Sequence, residues 1–255
     1  MSATLAGTLF VYNGKSQDYC FMEAIASLHE FCDYVVVCDA GSDDGTLEEI
    51  ISVYGEHGQT SIIACDKSEW DAKRGKEKLN FFTNKAIEMA EMMGFDYQFN
   101  LQADEIVHEK SYDAIWDAIA TGDEAFQCRR VNLWGSPYTQ LRVVPPKQLP
   151  CSEVILRLAK TKYRSQGDAE SLAAHTARTD FIEKIRMYHM GFVRDKKIHV
   201  EKIRHVQKDV FLVEPDKKLE GMEVFDPWRW FERTDVVPIT ESLPQIIQKW
   251  AADRM

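Results

Sequence analysis

The segment Asn100-Leu101-Gln102-Ala103-Asp104-Glu105-Ile106 puts neighbouring carboxylates at the end of a strand-like stretch, Tyr97–Leu101. Hard oxygen ligands at such a position suit Mg²⁺ or Mn²⁺, and the ion in turn bridges a diphosphate and neutralises charge on a leaving nucleotide. The same acids could instead cap a helix, satisfying free N–H groups and the dipole. A second acidic segment, Asp39-Ala40-Gly41-Ser42-Asp43-Asp44-Gly45-Thr46, follows the apolar run Tyr34–Cys38. Asp39 there can accept hydrogen bonds from a base N–H edge or from ribose hydroxyls; as a bland alternative it belongs to an ordinary turn. The segment is a poor phosphate cradle, because it lacks G-x-G-x-x-G and G-x-x-x-x-G-K-[ST], and its acids repel phosphate. That argues against a nicotinamide-dependent dehydrogenase and a P-loop nucleotidase. His189, in the apolar stretch Arg186-Met187-Tyr188-His189-Met190-Gly191-Phe192, sits where a closing metal ligand would come; a lone histidine in an apolar run also serves as a core residue.

Regular elements must bring these segments together. Apolar Leu5–Tyr12 predicts a first strand, and Asp18 can cap a helix to about Cys32 with Phe21, Ala24, Ile25, Leu28 and Phe31 on one face. Tyr34–Cys38 is a continuous apolar run of the kind a doubly covered parallel strand shows. A helix from Leu47, a strand at Ser61–Cys65, a long helix from Glu77 to Met93 and a strand at Tyr97–Leu101 complete a β-α alternation, which predicts an open parallel sheet. Ligands bind at the carboxyl ends of such strands, so Tyr12, Asn13, Asp39 and Asp104 fall on one rim. Beyond Ser111 the pattern loosens. A helix at Tyr112–Ala120, strands at Ala125–Leu133, around Leu141–Val144, at Val154–Leu158 and near Met187, a basic helix, and a terminal helix with Leu243, Ile246, Ile247 and Trp250 on one face are expected.

The chain has 255 residues, with 31 Lys+Arg against 41 Asp+Glu and a formal charge of −10. That balance disfavours a nucleic-acid-coating protein. No apolar run approaches the ~20 residues of a membrane span, and Met1–Gly14 has no charged region ahead of an apolar one, so a soluble cytoplasmic protein is expected. Cys20, Cys32, Cys38, Cys65, Cys128 and Cys151 form no C-x-x-C pair and are expected to be reduced and structural.

Taken together, the motifs resemble the family 2 glycosyltransferases of the GT-A fold. Val11-Tyr12-Asn13 matches the family's "TYN" turn, Cys38–Thr46 its "VDDGSTDGT", Leu101–Glu105 its "LDADE", and His189–Arg194 its "HxGxxR" segment. A subgroup with "YLQADE" is most similar. The resemblance implies an α/β fold, a GT-A-like open and mostly parallel sheet flanked by helices with an irregular C-terminal extension, divided as a catalytic domain over 1–215 and an extension over 216–255. It implies a metal-assisted, inverting transfer of a sugar from a nucleotide-sugar donor, UDP-linked donors among them, to a glycan, lipid-linked or other hydroxyl acceptor. Tyr12, Asn13, Asp39, Arg74, Asn84, Gln102 and Ala103 would contact the donor, and Asp104 with His189 would hold Mn²⁺ or Mg²⁺. Ala40 and Gln102 stand where the family has acids, which removes negative charge from the donor and metal sites.

Inversion requires a carboxylate to take the acceptor proton. Asp168, in a polar loop resembling an "SxGDA" segment, is the first candidate, followed by Glu170 and Glu153; each could equally be a surface acid. The cluster Phe225–Phe231 reads as a clasp for the extension or as an acceptor platform, and Arg194, Lys202 and Arg204 as a solvated basic face or as attractants for an anionic acceptor. A nucleotidyltransferase is the nearest rival, although Leu9–Lys15 lacks its Gly-rich basic signature. A non-catalytic nucleotide or sugar binder on the same scaffold is the other alternative.

Overall fold

The computed structural model describes residues 3–142, 152–174, 179–226 and 235–254. The chain runs β1 (Leu5–Val11), α1 (Phe21–His29), β2 (Tyr34–Asp39), α2 (Thr46–Tyr54), β3 (Thr60–Ala64), α3 (Lys67–Asp71), α4 (Lys76–Met92) and β4 (Tyr97–Gln102). It continues through β5 (Glu105–Val107), α5 (Tyr112–Ala120), β6 (Ala125–Trp134), β7 (Thr139–Leu141), β8 (Val154–Lys160), β9 (Arg164–Gln166), β10 (Ser171–Ala173) and β11 (Thr179–Phe192). The last elements are α6 (Lys196–His205), β12 (Val236–Pro238) and α7 (Gln245–Ala252).

Strands β3-β2-β1-β4 lie side by side and parallel, joined by helical crossovers. The sheet continues through β8, antiparallel to both β4 and β6, and β11 then pairs parallel with β6 and antiparallel with β5. This is a mixed α/β fold with a curled, mostly parallel sheet flanked by helices, as expected for a GT-A-like protein. Side chains alternate between the two faces of a strand, and both faces here are covered. Leu5, Leu9, Val35 and Val37 pack under Ala24, Ile25 and Leu28 of α1, while Ala6, Val36 and Cys38 face Phe82, Ala86 and Ala90 of α4. The uninterrupted apolar run of β2 follows from that double cover.

Several local expectations change. Asp18 does not cap α1, which begins after Cys20 with no side-chain cap; its carboxylate accepts from the backbone N–H of Asp195 and pairs with Arg254. Neither Asp104 nor Glu105 caps a helix, because β5 begins at Glu105. A short helix, α3, comes between β3 and α4, started by Asp66 and Glu69 in a reciprocal capping box. Of the strand expected around Leu141–Val144, Thr139–Leu141 forms β7, and residues 143–150 lie outside the described part, as do Cys151 and 227–231 of the aromatic cluster. Phe225 itself packs with Trp134 and lies face to face with His199 at 3.8 Å. Helix α7 buries Ile247 and Trp250 against the cluster of Ile106, Tyr188 and Met190; Leu243, expected on the same helical face, joins that cluster from the segment before the helix begins at Gln245.

One polar cluster ties the parallel half of the sheet to the rest. The Glu105 carboxylate is fully buried and accepts from Arg157 of β8 at 2.9 Å, from Arg130 of β6 at 3.3 Å and from the backbone N–H of Gln102 at 3.0 Å. Burial disfavours its charge, yet the two guanidiniums hold the carboxyl below its ordinary range. Removing one partner from such a group strands the others without compensation, at a cost of about 3–5 kcal/mol. Glu105→Ala should therefore lower unfolding free energy by about that amount in urea titrations, well beyond the loss for an exposed acid such as Glu153.

Candidate functional site

A cleft of about 400 Å³ opens at the carboxyl ends of β1 and β4. Its walls include Tyr12, Gln102, Ala103, Asp104, Asp168 and His189, drawn from strands and loops that lie far apart in the sequence. On one side, Tyr12 stacks on Trp70 with ring centroids 3.9 Å apart and planes within 13°. Asp39 ends β2 one strand over, its Cα registered against Val11. Its Oδ1 accepts from the backbone N–H groups of Gly41 (3.0 Å) and Ser42 (2.9 Å). Its Oδ2 is buried and has no hydrogen-bond partner among the described residues. Burial raises the Asp39 pKa against the pull of those hydrogen bonds. A carboxylate oxygen kept this way is an acceptor in want of a donor.

At the floor, Asp104 is buried among cations. Its Oδ2 accepts from Arg194 at 3.1 Å and Lys202 at 3.4 Å, and its Oδ1 lies 3.7 Å from His189 Nε2. Burial works against the charge, but Lys202, His189 and Arg194 outweigh it and hold the carboxyl far below the usual carboxylate range. The His189 pKa is itself lowered to about 4 by burial, so near neutral pH the charge beside Asp104 comes from Lys202 and Arg194. His189 Nδ1 lies 3.2 Å from Asn132 Oδ1. If Nδ1 carries the proton, that bond leaves the Nε2 lone pair facing Asp104, as a metal-ligating histidine requires. Gly191 makes room for the ring, since a Cβ there would come within 2.3 Å of Nε2.

The opposite wall is the loop carrying Asp168 and Glu170. Arg157, anchored on Glu105, donates to the Ala169 carbonyl at 3.2 Å, and Arg130 pairs with Glu170. From α4, Asn84 brackets Ser165, accepting from its N–H at 2.8 Å and donating to its carbonyl at 3.3 Å, while Asn80 donates to the Gly167 carbonyl. Lys76 lies 3.5 Å from the Asp168 carboxylate. The loop is thus held from below by arginines and from the side by α4.

Of the expected donor residues, Tyr12, Gln102 and Ala103 line the cleft. Asn13 does not: its side chain donates to the Asp43 carboxylate and accepts from the Asp43 N–H, bracing the turn after β2. Asn84 is likewise taken up by Ser165, and Arg74 is exposed in the loop before α4, outside the cleft wall. Among the candidate bases, Asp168 and Glu170 face the cleft, but Glu170 is engaged with Arg130 and the Ser152 N–H, and Glu153 is exposed and away from it. Arg194 and Lys202 are not on a solvated face; both turn inward to Asp104 and lie over the Tyr19 ring at 4.7 and 4.6 Å. The "HxGxxR" segment was the available signal for Arg194. An arginine inside the apolar run Val154–Ala159 was the signal for Arg157, and nothing in the spacing marks Lys202 or Trp70.

Among the described residues no group of three or more His, Cys, Asp or Glu is arranged to hold an ion. Asp104 Oδ1 and His189 Nε2, 3.7 Å apart, are the pair that could contribute two ligands to a Mg²⁺ or Mn²⁺, and such an ion would have to draw the rest from phosphate and water. No described helix is long and apolar enough to cross a membrane.

No protein-family model matches the chain, and no curated protein matches it. Solved structures similar to it include TarS from S. aureus, at 15% identity and a TM-score of 0.48, over 80% of this chain and 39% of that one. This chain therefore spans about two fifths of full TarS. TarS 1–349 in complex with UDP matches at 12% identity and 0.48, over 80% of this chain and 72% of that one. A protein assigned as a glucose-1-phosphate thymidylyltransferase from Bacillus anthracis, in complex with sucrose, matches at 12% identity and 0.41, over 62% and 72%.

Two buried histidines give the region an acid limit. Burial, then Arg194 and Lys202, lower the His199 pKa to about 2, and His189 titrates at about 4, whereas an unfolded histidine titrates near 6.5. The unfolded chain thus binds protons that the folded one refuses. Their stabilisation is full above about pH 6.5 and is lost as pH falls toward 4, at about 1.4 kcal/mol per pH unit for each group. Denaturation across that range should show this slope, and His199→Phe, which keeps a ring against Phe225, should flatten it.

Proposed function

We propose that the chain is a glycosyltransferase that takes a sugar from a nucleotide-sugar donor, with metal assistance and inversion at the anomeric carbon. The observation that carries this is a single cleft, at the carboxyl ends of parallel strands, lined by Tyr12, Asp104, His189 and Asp168 together with Lys202. The unpartnered Asp39 Oδ2 would accept from the base or ribose, and Tyr12 stacked on Trp70 gives an aromatic wall beside it. Asp104 and His189 would hold Mn²⁺ or Mg²⁺, which when bound supplies Lewis-acid neutralisation of the leaving diphosphate. Lys202 and Arg194 add positive charge at the same floor. Asp168 faces the cleft without being locked to a buried arginine, unlike Glu170, and would take the acceptor hydroxyl proton as the sugar–oxygen bond forms.

A thermal-shift series with nucleoside diphosphates and nucleotide sugars, with and without Mn²⁺, tests the donor half. A ligand at 100 times its dissociation constant should stabilise the protein by about 2.7 kcal/mol. Asp104→Ala should remove the Mn²⁺-dependent part of that shift, while Asp39→Asn should weaken binding whether or not the ion is present. Equal shifts for Asp104→Ala and wild type with Mn²⁺ would take Asp104 out of the metal site, and no shift with any nucleotide would remove the donor reading itself.

The acceptor half is tested by Asp168→Asn. It should leave donor binding intact and slow sugar transfer by ~10²–10⁴-fold. Transfer at the wild-type rate would mean that another group takes the proton. Hydrolysis of the donor in the absence of an acceptor separates a transferase from a binder on the same scaffold.

A further inference from the structure

The transferase reading makes no use of the two thiols behind its nucleotide wall. Cys38 ends the buried run of β2 and Cys65 follows β3; both are free, and their Sγ atoms lie 3.7 Å apart. Cys38 is fully buried, whereas Cys65 is 9% exposed and its Sγ accepts from the Lys85 ammonium at 3.4 Å. Lys85 is in turn paired with Glu69, the acid that closes the capping box of α3. The pair is joined to the cleft by short links. The Cys65 N–H donates to the Asp39 carbonyl at 3.0 Å, Asp66 starts α3, and α3 carries Trp70 onto Tyr12.

We propose that Cys38 and Cys65 form a redox-modification site that closes to a disulfide on exposure to a hydroperoxide and thereby disturbs the Tyr12–Trp70 wall. Cys65 is the attacking sulfur, since its residue keeps a slight exposure that Cys38 lacks and it has an ammonium beside it. The hydrogen bond from Cys38 and the Lys85 charge bring its pKa down to about 7 against the opposing effect of burial, so a substantial thiolate fraction exists near neutral pH. The Cys65 thiolate attacks the peroxide, forming an S–O bond and breaking O–O; the alkoxide (or hydroxide) leaves and takes up a proton. Cys38 Sγ then attacks Cys65 Sγ, expelling hydroxide, which leaves as water with the Cys38 proton. The balance is two thiols and one hydroperoxide giving one disulfide, one alcohol (or water) and one water. A disulfide needs its sulfurs about 2.05 Å apart, against 3.7 Å here, and the bond closes by turning the two side chains and drawing the segment leading into α3 toward β2. Trp70, five residues after Cys65, moves with that segment.

The test treats folded wild-type protein with hydrogen peroxide and blocks remaining thiols before peptide mass mapping. The expected product is a Cys38–Cys65 crosslink reversed by dithiothreitol. Cys65→Ser should leave Cys38 unmodified, and Cys38→Ser should leave a Cys65 sulfenic acid that a dimedone-type probe captures. No crosslink in wild type, a crosslink joining other cysteines, or direct overoxidation of Cys65 overturns the proposal. Binding of nucleoside diphosphates to the oxidised protein should be lost and return on reduction; unchanged binding by crosslinked protein overturns the coupling to the cleft. The coupling rests on the transferase reading, but the crosslink does not. Reduced protein that binds no nucleoside diphosphate counts against that reading, while the mass map still decides the thiol pair.

Discussion

A buried carboxylate with two arginines is the constraint on which the cleft depends. Glu105 has no exposed surface, and a charge there is tolerable only because Arg130 and Arg157 face it with good hydrogen-bond geometry. The consequence is positional. Arg157 extends past Glu105 to Asn100 on β4 and to the carbonyl of Ala169, and Arg130 extends to Glu170 and to the carbonyl of Ser152. The loop that brings Asp168 to the cleft is thereby fixed to the strand end that carries Asp104. Two neighbouring acids have divided the work: Glu105 turns inward and holds the walls together, and Asp104 turns to the cavity.

Much of this was legible in the sequence wherever local patterning and position along the chain agreed. The β-α alternation up to Leu101 placed β1 to β4, α2 and α4 within a residue or two, because β1, β2 and β4 are buried on both faces and the helices on one. Helix α1, however, ends three residues before the expected Cys32, and α3 was not foreseen. Asp39 and Asp104 both stand at strand ends, as the alternation alone implied, but only Asp104 lines the cleft, Asp39 being fully buried. In the second half the signals fail for physical reasons. Strand β11 is 14 residues long and carries register shifts between Ile182 and Arg186 and between His189 and Phe192, so no strict two-residue period survives to be read. Asn13 and Asn84 have side chains suited to a ligand, yet Asn13 braces the turn at Asp43 and Asn84 brackets Ser165 of β9 instead, and only the folded chain shows which use is made.

The basic residues were the hardest to interpret. Arg194, Lys196, Lys197, Lys202 and Arg204 look like one charged strip, but Arg194 precedes α6 and the helix sorts the rest. Lys202 lies on the face that also presents Ile203 and Val206 to the cleft, whereas Arg204 donates to the Leu219 and Met222 carbonyls. Helical periodicity separates these neighbours, but it cannot say which face is inward without knowing what the helix packs against.

The sorting sets the electrostatics of the floor. The protein is acidic as a whole, so a phosphate-bearing ligand is repelled at long range and must be drawn in locally. Glu105 and Glu170 are balanced by Arg157 and Arg130, leaving that layer near neutral. Above it Asp104 faces both Arg194 and Lys202 while His189 is uncharged near neutral pH, so the floor keeps a positive surplus before any ion is added. Low-dielectric walls, among them Phe10, Phe192 and Val210, strengthen that field across the cleft. Gln102 belongs to the same balance. A carboxylate at that position would cancel the surplus that two cations and one aspartate create, whereas an amide keeps hydrogen-bonding capacity there and leaves the surplus in place.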